Sequence, residues 1–447
     1  MKQQSKEPYQ YNVVIAGGGP AGTAAAIAAA RSGSRTLLIE QEGFLGGMAT
    51  LGSVPAFGPY TNGETDLIGG IGREILEELK LDGYESPFYD RKPDRIEGLD
   101  WHPIDPERLK LVLDRLVSRS GCQVLFHTAV TEVECEGGHV KAIRVFHKGG
   151  FEWIHADYFI DCTGDGDLAA MAGAGWDYGD ENGRVQAGTL CFRVAGVDTG
   201  RFMEYVRREN ENGNLSVATA KARQDGCFPE GETKVGGMSL QADGIAGLNF
   251  GHVYHLNPLD PWDMSRGEME ARAKLPELIS FLQTYVPGME HCVLTASGPH
   301  LGVRESRRIR GHYLLTYQDY LRRADFPDSI AYYSYPVDLH AAVPEEGQEK
   351  ERLYQDTKYR NGESYGIPYR CLVPEGIGNL AVAGRIISAD RSMMASVRIM
   401  SACFATGQAA GTAAAVAVQD GSKKSFAEID VGEIRRRLRE QKVYLKG

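Results

Sequence analysis

Three glycines near the start of the chain have the spacing of a phosphate-binding turn. Gly17, Gly19 and Gly22 form a G-x-G-x-x-G pattern, and Glu40 lies 18 positions after Gly22. In such a turn, the first glycine permits the tight bend, the second lets the backbone approach a pyrophosphate, and the third allows close helix packing. An acid about 20 residues further on binds ribose hydroxyls. The pattern predicts a dinucleotide site, with an ordinary glycine-rich turn as the alternative.

Two further groups of side chains have the composition of a metal site. His252 and His255 are three residues apart, but no matched third ligand accompanies them. Asp161, Asp165 and Asp167 could bind a cation, yet their position after an apolar strand favours a cofactor loop. The eight cysteines include no C-x-x-C pair, which argues against a zinc ribbon, an iron–sulfur cluster or a redox-active dithiol. We therefore predict no metal.

A βαβ unit must position the three glycines. Residues 11–16 form a short apolar run with β-branched side chains, which is typical of a buried parallel strand. Residues 20–33 are rich in alanine and predict a helix that ends at Gly33. Residues 35–39 predict the second strand, with Glu40 at its carboxyl end. The turn therefore lies where a helix N-terminus can face a phosphate.

A helix and a β-meander follow this unit. Asp105 and Pro106 are favoured residues for a helix start, and Gly121 ends the helix. The predicted strands cover residues 123–127, 129–134, 140–146 and 151–155, and a further strand runs from residue 158 into a Gly/Asp loop. Glycine pairs between the strands supply hairpin turns. The pattern predicts an α/β domain.

The second half of the chain returns to this domain after a long interruption. Residues 176–361 are mixed in pattern and predict an inserted α+β domain. A buried strand at 379–384 then precedes a helix at 401–418, whose alanines and glycines allow very close packing. We therefore predict that residues 1–175 and 362–447 form one domain, and that residues 176–361 form a substrate or cap domain.

Composition and charge exclude several classes of protein. Glycine accounts for 54 of 447 residues, about 12% against a usual ~7%, which predicts tight turns and close backbone approaches to a ligand. A net charge of −11 without a basic run argues against nucleic acid. The first 12 residues are polar, and the apolar stretch 402–418 contains polar residues and falls short of a membrane span. We expect a cytoplasmic protein that does not contact membranes.

The chain resembles the flavoproteins with two dinucleotide-binding domains, which share the fold of glutathione reductase. The segment GGGPAG at 17–22, Glu40 and Gly46–Gly47 carry this resemblance, with the succinate dehydrogenase and fumarate reductase flavoproteins nearest. More narrowly, the chain is similar to the FAD-dependent oxidoreductase family at 160–168 (IDCTGDGDL), 302–308 (GVRESRR), 365–370 (YGIPYR) and 379–385 (NLAVAGR). The resemblance spans nearly the whole chain. It implies an α/β fold with a Rossmann-type FAD-binding domain, a parallel sheet plus β-meander, and FAD as cofactor.

The resemblance also implies a role for each matching residue. The predicted FAD contacts are Gly17, Gly19, Pro20, Ala21 and Gly22 for the pyrophosphate; Glu40, Gln41, Val130, Thr163 and Gly164 for the adenosine; Gly46 and Gly47 for the isoalloxazine; Gly384 and Arg385 for the ribityl chain; and Val397 and Arg398 for the pyrimidine end. Arg385 stands where many relatives have an acid. A helix N-terminus and an arginine at the pyrimidine end would stabilise negative charge on a reduced flavin.

Substrate contacts are expected from the inserted domain, because the flavin itself takes the hydride. The candidates are His252, His255, Arg304, Arg307, Arg308, His340 and Tyr369, of which Arg304, His340, His255 and Tyr369 form the predicted catalytic set. Guanidinium groups suit a carboxylate or hydroxyl-rich substrate, and a His or Tyr can take a hydroxyl proton as hydride leaves. Salt bridges are the alternative for the arginines, and structural hydrogen bonds are the alternative for the histidines.

Three functions fit this pattern. The favoured one is an FAD-dependent dehydrogenase or reductase that transfers a hydride between flavin and a small polar organic substrate. A flavin-dependent monooxygenase or halogenase is the second, although a halogenase-like Trp-x-Trp motif is absent. A flavoprotein subunit that passes electrons to a partner protein is the third. No second G-x-G-x-x-G unit is evident, so the electron donor or acceptor is not predicted. Noncovalent FAD is expected, and the oligomeric state stays open.

Overall fold

The computed structural model describes residues 10–81, 100–211, 213–232, 234–346 and 354–447. The helices are α1 Pro20–Arg31, α2 Gly70–Leu81, α3 Pro106–Ser120, α4 Asp167–Met171, α5 Thr199–Glu209, α6 Ser216–Gln224, α7 Pro261–Tyr285, α8 Tyr317–Leu321, α9 Arg391–Val397, α10 Met400–Asp420 and α11 Val431–Glu440. The first ten strands are β1 Gln10–Ala16, β2 Thr36–Ile39, β3 Ala56–Phe57, β4 His102–Pro103, β5 Gln123–Leu125, β6 Ala129–Glu136, β7 His139–His147, β8 Gly150–Asp161, β9 Trp176–Tyr178 and β10 Gly188–Thr189. The others are β11 Phe192–Ala195, β12 Gly237–Ala242, β13 Ile245–Asn249, β14 His252–Val253, β15 Val293–Ser297, β16 Arg307–Ile309, β17 Ser329–Tyr333, β18 Tyr365–Pro368 and β19 Leu380–Val382. They form a mixed α/β fold.

The largest sheet carries the glycine turn. Its seven strands have the order β5-β2-β1-β8-β7-β6, and β19 also pairs with β8. β1 runs parallel to β2 and to β8, which confirms the predicted βαβ unit. Val13, Val14 and Ile15 of β1 have no exposed surface. The strand therefore lies in the middle of the core, and its carboxyl end opens into the turn.

One strand joins the parallel sheet to the β-meander. The sequence predicted two strands, at 151–155 and from residue 158, but the structure has a single strand, β8. The first half of β8 is antiparallel to β7, and its second half is parallel to β1 and β19. The prediction was wrong because the change of partner occurs without a break in the strand.

Helices α1 and α10 approach each other very closely. A Cβ on Gly407 would lie 2.0 Å from the Ala21 carbonyl oxygen, and one on Gly411 would lie 2.2 Å from that of Ala25. Larger residues at either glycine would force the helices apart. Among the described residues, α10 is also the one helix whose length and composition would suit a membrane span, and 94% of its apolar window is buried inside the protein.

A second hydrophobic core contains residues from Leu190 to Leu301. It surrounds an antiparallel sheet of order β12-β13-β11-β15, with α5, α6 and α7 packed nearby. After this core the chain returns to the first one, where Ile309, Tyr320 and Ile330 are buried. The predicted inserted domain, 176–361, stays a prediction. The second core covers a shorter part of the chain than that range, from Leu190 to Leu301.

Candidate functional site

A cavity of about 1640 Å³ lies at the carboxyl ends of the parallel strands, between the two cores. Gly17 and Thr163, which follow β1 and β8, line one wall. Thr189 and Asn249, from β10 and β13, line the opposite wall. We call these the first-core wall and the second-core wall. Ligand pockets usually hold ~300–1,000 Å³, so this cavity has room for a large cofactor and a second molecule.

The glycine turn presents open space at one position and none at the others. A Cβ on Gly17 would lie 2.4 Å from the Cys162 carbonyl oxygen, and one on Gly22 would lie 1.7 Å from that of Gly17. A Cβ on Gly19 would meet only the Gly47 Cα atom, at 3.8 Å. Gly17 and Gly22 therefore allow backbone to touch backbone. Gly19 leaves a gap beside the N-terminus of α1, where an anion fits.

Glu40 lies beside this gap, at the end of β2. Its carboxylate oxygens accept hydrogen bonds from the backbone N–H of Gly18, at 2.6 Å, and of Glu42, at 2.9 Å. Burial raises the pKa of Glu40 above its ordinary value, although both backbone donors oppose this effect. The acid therefore lies at the edge of the cavity, beside the glycine turn.

A buried carboxylate holds the loop after β8. Asp161 accepts hydrogen bonds from the backbone N–H and the hydroxyl of Thr163, at 2.9 and 2.7 Å, and from the N–H of Ala169 at 2.8 Å. Burial raises the pKa of Asp161 to about 6. Asp161 thus uses its carboxylate oxygens to hold the loop. This agrees with the interpretation of the segment as a loop and not as a cation site. No group of three His, Cys, Asp or Glu side chains in the described ranges is arranged to hold a metal ion.

Arg385 connects the two walls. Its guanidinium donates to the Gly164 carbonyl, to the Val303 carbonyl at 2.5 Å and to the Asp165 carboxylate at 2.5 Å. These contacts occupy its Nε, NH1 and NH2 atoms. Arg385 therefore clamps the loop after β8 against the segment that leaves the second core, while its side chain still lines the cavity.

Arg304 is a buried cation on the second-core wall. Its guanidinium donates to three uncharged oxygens: the Ala187 carbonyl at 2.6 Å, the Thr189 hydroxyl at 2.8 Å and the Asn249 amide at 3.5 Å. Among the described residues, no carboxylate oxygen lies within the 4.0 Å of a salt bridge to it. Burial and the nearby charge of Arg398 lower the pKa of Arg304 to about 10. This cation suits an anionic ligand.

Four acidic and imidazole side chains form a continuous line beside Arg304, which we call the relay: Glu232, His252, His340 and Asp338. Glu232 Oε2 lies 2.8 Å from His252 Nδ1, and His252 Nε2 lies 3.4 Å from His340 Nδ1. His340 Nε2 lies 3.4 Å from Asp338 Oδ1. At the far end, Arg398 donates to Asp338 Oδ2 at 3.0 Å. The relay therefore connects the second core to the start of α10.

Burial and charge set the protonation of the relay. Burial, followed by the charge of Arg304, lowers the pKa of His340 to about 3. Burial also lowers the pKa of His252, although the hydrogen bond to Glu232 opposes this. Burial alone would raise the pKa of Asp338, but His340 and Arg398 hold it well below its ordinary value. Both imidazoles are therefore neutral at neutral pH, and Asp338 is ionised.

Comparison with known proteins decides the family. The model of the FAD dependent oxidoreductase family matches residues 12–438 of the 447. The chain belongs to the FAD dependent oxidoreductase family. The protein is therefore an oxidoreductase with FAD as its cofactor.

More distant similarity covers a short segment of one enzyme and most of two solved structures. The tRNA uridine 5-carboxymethylaminomethyl modification enzyme MnmG of Geotalea uraniireducens is 29% identical over 148 residues. That match covers 32% of this chain and only 23% of the enzyme. Similar solved structures include a geranylgeranyl bacteriochlorophyll reductase-like protein from Thermoplasma acidophilum, at 13% identity and TM-score 0.46, with 97% of this chain and 83% of that chain covered. The myxobacterial chondrochloren halogenase CndH also has 13% identity and TM-score 0.46, with 97% and 79% covered.

The structure brings most of the predicted FAD residues to the cavity. Those that line it are Gly17, Gly19, Pro20, Ala21, Glu40, Gln41, Gly47, Val130, Thr163, Gly164, Gly384, Arg385 and Arg398. Three others lie behind the lining. Gly22 packs against Gly17, a Cβ on Gly46 would collide with Thr50, and Val397 is fully buried. These three residues pack behind the wall of the cavity and do not line it.

The structure separates the predicted catalytic set. Arg304 and His340 line the cavity on the second-core wall. His255 is exposed and does not line the cavity, and its carbonyl accepts from Arg266. Tyr369 is buried in the first core, where its hydroxyl donates to the Phe426 carbonyl at 3.0 Å. Neither side chain reaches the cavity, so His255 and Tyr369 lie outside the candidate site.

The other two arginine candidates form salt bridges. Arg307 contacts Asp167 at 2.8 Å, and Arg308 contacts Glu305 at 2.8 Å. The salt-bridge alternative therefore describes both. Their neighbour Arg304 differs because it lines the cavity and, among the described residues, no carboxylate lies within salt-bridge distance of it, although the charge of Asp338 is near enough to oppose the lowering of its pKa.

Sequence reasoning missed two members of the relay. Asp338 lies two positions before His340, so the pair Asp-x-His was a usable signal. Glu232 had no such signal. It comes from a loop 20 residues before His252, and only the fold brings its carboxylate to the imidazole.

Proposed function

We propose that the protein transfers a hydride between FAD and a small polar organic substrate that carries a carboxylate. The observation that carries this proposal is Arg304, a buried guanidinium that lines the cavity and has no salt-bridge partner among the described residues. A buried cation without a counter-charge is costly unless a ligand supplies one. A substrate carboxylate would supply that charge and form the paired hydrogen bonds that a guanidinium fork favours.

The first-core wall fits FAD. The gap beside Gly19 and the N-terminus of α1 would hold the pyrophosphate, and Glu40 would bind ribose hydroxyls. Arg398, which starts the turn before α10, would face the flavin end. Bound FAD would supply the acceptor for a hydride, which carries both electrons of the oxidation. The continuous strand β8 and the second core support a glutathione reductase-type fold with an inserted substrate domain.

The second-core wall would hold and orient the substrate. Arg304 would bind its carboxylate, and His340 and Asp338 lie on the same wall, where they can accept a hydroxyl proton. General-base assistance of this kind contributes roughly 10²–10⁴-fold to a rate. Burial of the wall excludes water and strengthens each of these contacts. The electron partner on the other side of the reaction is proposed to be a small molecule.

Anaerobic mixing of the FAD-loaded protein with 2-hydroxy acids and with uncharged polyols tests the proposal. Loss of the flavin absorbance with a hydroxy acid, but not with the matched polyol, is expected. Arg304→Gln should lower kcat/KM by about 100-fold, whereas Arg310→Gln should leave it unchanged because Arg310 is a surface residue paired with Asp177. Anaerobic reduction by NADPH alone, followed by consumption of dioxygen when air is admitted, would contradict the proposal and favour a monooxygenase.

A further inference from the structure

The relay contains more hydrogen-bond contacts than its neutral imidazoles can supply with hydrogens. Its three contacts are Glu232–His252 at 2.8 Å, His252–His340 at 3.4 Å and His340–Asp338 at 3.4 Å. Each contact needs one hydrogen between its two heavy atoms. A neutral imidazole has one ring N–H, and an ionised carboxylate has none. The two histidines therefore have two ring hydrogens for three contacts. In one of the three contacts, no hydrogen lies between the two heavy atoms, and their lone pairs face each other.

The relay is therefore built to accept one further proton. That proton would complete the third contact, whichever of the three is open, because each ring can shift its hydrogen from one nitrogen to the other. The short Glu232–His252 contact holds one of the two resident hydrogens, and the two longer contacts share the other. His252, His340 and Asp338 line the cavity, whereas Glu232 lies behind them. The opening of the relay is thus at the His340–Asp338 end.

We propose that the relay acts as a single general base, with Glu232 as its buried anchor. This inference rests on the proposed function and names the group that takes the proton. Oxidation of a substrate alcohol breaks its C–H and O–H bonds and forms a C=O bond. The hydroxyl proton enters the relay between His340 and Asp338, and bound FAD would supply the acceptor for the hydride with both electrons. Release of the proton to solvent then returns the relay to its resting state.

The charges around the relay couple it to substrate binding. The charged and titratable groups that face it are Arg304, Arg398, Lys234, Lys274, Tyr254 and Tyr335. The positive charge of Arg304 opposes a further proton on both histidines. A substrate carboxylate on Arg304 cancels that charge, so the proton affinity of the relay rises when substrate binds. The base is therefore strongest when it is needed.

The variants Glu232→Gln and His252→Asn test the relay in the FAD-loaded protein. Glu232 touches neither the cavity nor His340. If His340 acted as an isolated base, loss of the Glu232 charge would leave the apparent pKa of the reaction unchanged. In the relay, loss of that charge lowers the proton affinity of the whole unit. We expect the apparent pKa of the flavin-reduction rate to fall in both variants and the plateau rate to fall about 10–100-fold. The double variant should be no worse than His252→Asn alone, because both changes break one unit.

A second readout does not depend on finding a substrate. In protein labelled with ¹⁵N-histidine, Glu232→Gln should change the ring signals of His252 and also of His340, which Glu232 does not contact. The matched control is Glu152→Gln, at a surface His147–Glu152 pair with a 3.5 Å separation, and it should change neither signal. Retention of the FAD spectrum shows that each variant is folded.

The outcomes separate the relay from the proposed function. A change confined to His252, or a pH profile that keeps its apparent pKa, would overturn the relay while leaving hydride transfer intact. A change in the His340 ring signal in Glu232→Gln, without flavin reduction by any hydroxy acid, would support the relay as one coupled proton acceptor. The same result would overturn the proposed substrate class.

Discussion

The two walls of the cavity present different kinds of chemical group, backbone on one wall and side chains on the other. The first-core wall is largely backbone: the turn at Gly17–Gly22 and the loop after Asp161 present N–H groups and open space. The second-core wall is largely side chain, with Arg304 and the relay supplying the polar atoms. A backbone wall binds a ligand through features common to many sequences. A wall of side chains selects its ligand by charge and proton affinity. In the proposed function, the first-core wall determines the cofactor and the second-core wall determines the reaction.

The difference also sets what each wall tolerates. The first-core wall depends on the absence of side chains at a few positions, where added atoms would collide with carbonyl oxygens. The second-core wall depends on charged side chains, whose removal should leave the surrounding fold in place. Substitutions should therefore affect folding and FAD on one side, and substrate and pH dependence on the other.

The largest expected effect comes from Gly22→Ala. Its Cβ would lie 1.7 Å from the Gly17 carbonyl oxygen, so α1 must move away from β1. We expect a loss of more than about 4 kcal/mol in the free energy of unfolding, at the upper end for a single substitution. Thermal unfolding of the apo-protein measures it.

Gly19→Ala is the matched control for Gly22→Ala. Gly19 has φ −68°, which alanine adopts readily, and its Cβ would enter the open gap. This variant should unfold at the wild-type temperature but bind FAD more weakly. Equal destabilisation by both substitutions would show that the gap is not a ligand site.

A pH-dependent effect of intermediate size is expected at Asp161. Its pKa is raised to about 6 by burial, so the folded state holds a proton that the unfolded chain, with a pKa near 3.8, has already released. Stability is therefore fullest below pH 3.8 and falls by about 3 kcal/mol as the pH rises through 6. Asp161→Asn should remove this fall, as urea unfolding across pH 4–7 would show. An unchanged difference between wild type and variant over that range would contradict the assignment.

A smaller effect is expected at Tyr369, which lies outside both walls. Tyr369→Phe removes one buried hydrogen bond, to the Phe426 carbonyl. The free energy of unfolding should fall by about 1 kcal/mol, with FAD affinity and kcat unchanged. A large fall in kcat at constant stability would restore Tyr369 to the catalytic set.

The smallest effect is expected at His255. Its side chain is exposed and away from the cavity, so His255→Asn should leave both kcat/KM and stability at wild-type values. Steady-state kinetics beside His340→Asn, which should lose at least tenfold in rate, would show whether the two histidines differ as their positions require.

The sequence was most informative where contacts are local. The spacing of Gly17, Gly19 and Gly22 predicted the turn, and Asp105–Pro106 with Gly121 predicted the ends of α3. The same Asp-Pro signal at Asp260–Pro261 begins α7, but the many charged residues in the first half of that helix obscure its apolar spacing. Local rules work where a few neighbouring residues determine the backbone.

Contacts between segments that are distant in the chain could not be predicted from the sequence. Glu232, His252 and Asp338 come together only because the loops around the second core pack against one wall. No periodicity in the sequence reports that packing. Arg304 was predicted as a candidate, but its lack of an acidic partner, which separates it from Arg307 and Arg308, appears only in the folded structure.

The division of the cavity into two walls can be tested most directly by measuring two affinities in the same variants. FAD affinity would be measured by fluorescence, and binding of oxalate by its perturbation of the flavin absorbance at saturating FAD. We expect Arg304→Gln to keep wild-type FAD affinity and to lose oxalate affinity by about 100-fold. Gly19→Ala should weaken FAD and leave oxalate binding to the loaded protein unchanged. Wild-type oxalate affinity in Arg304→Gln would contradict the account.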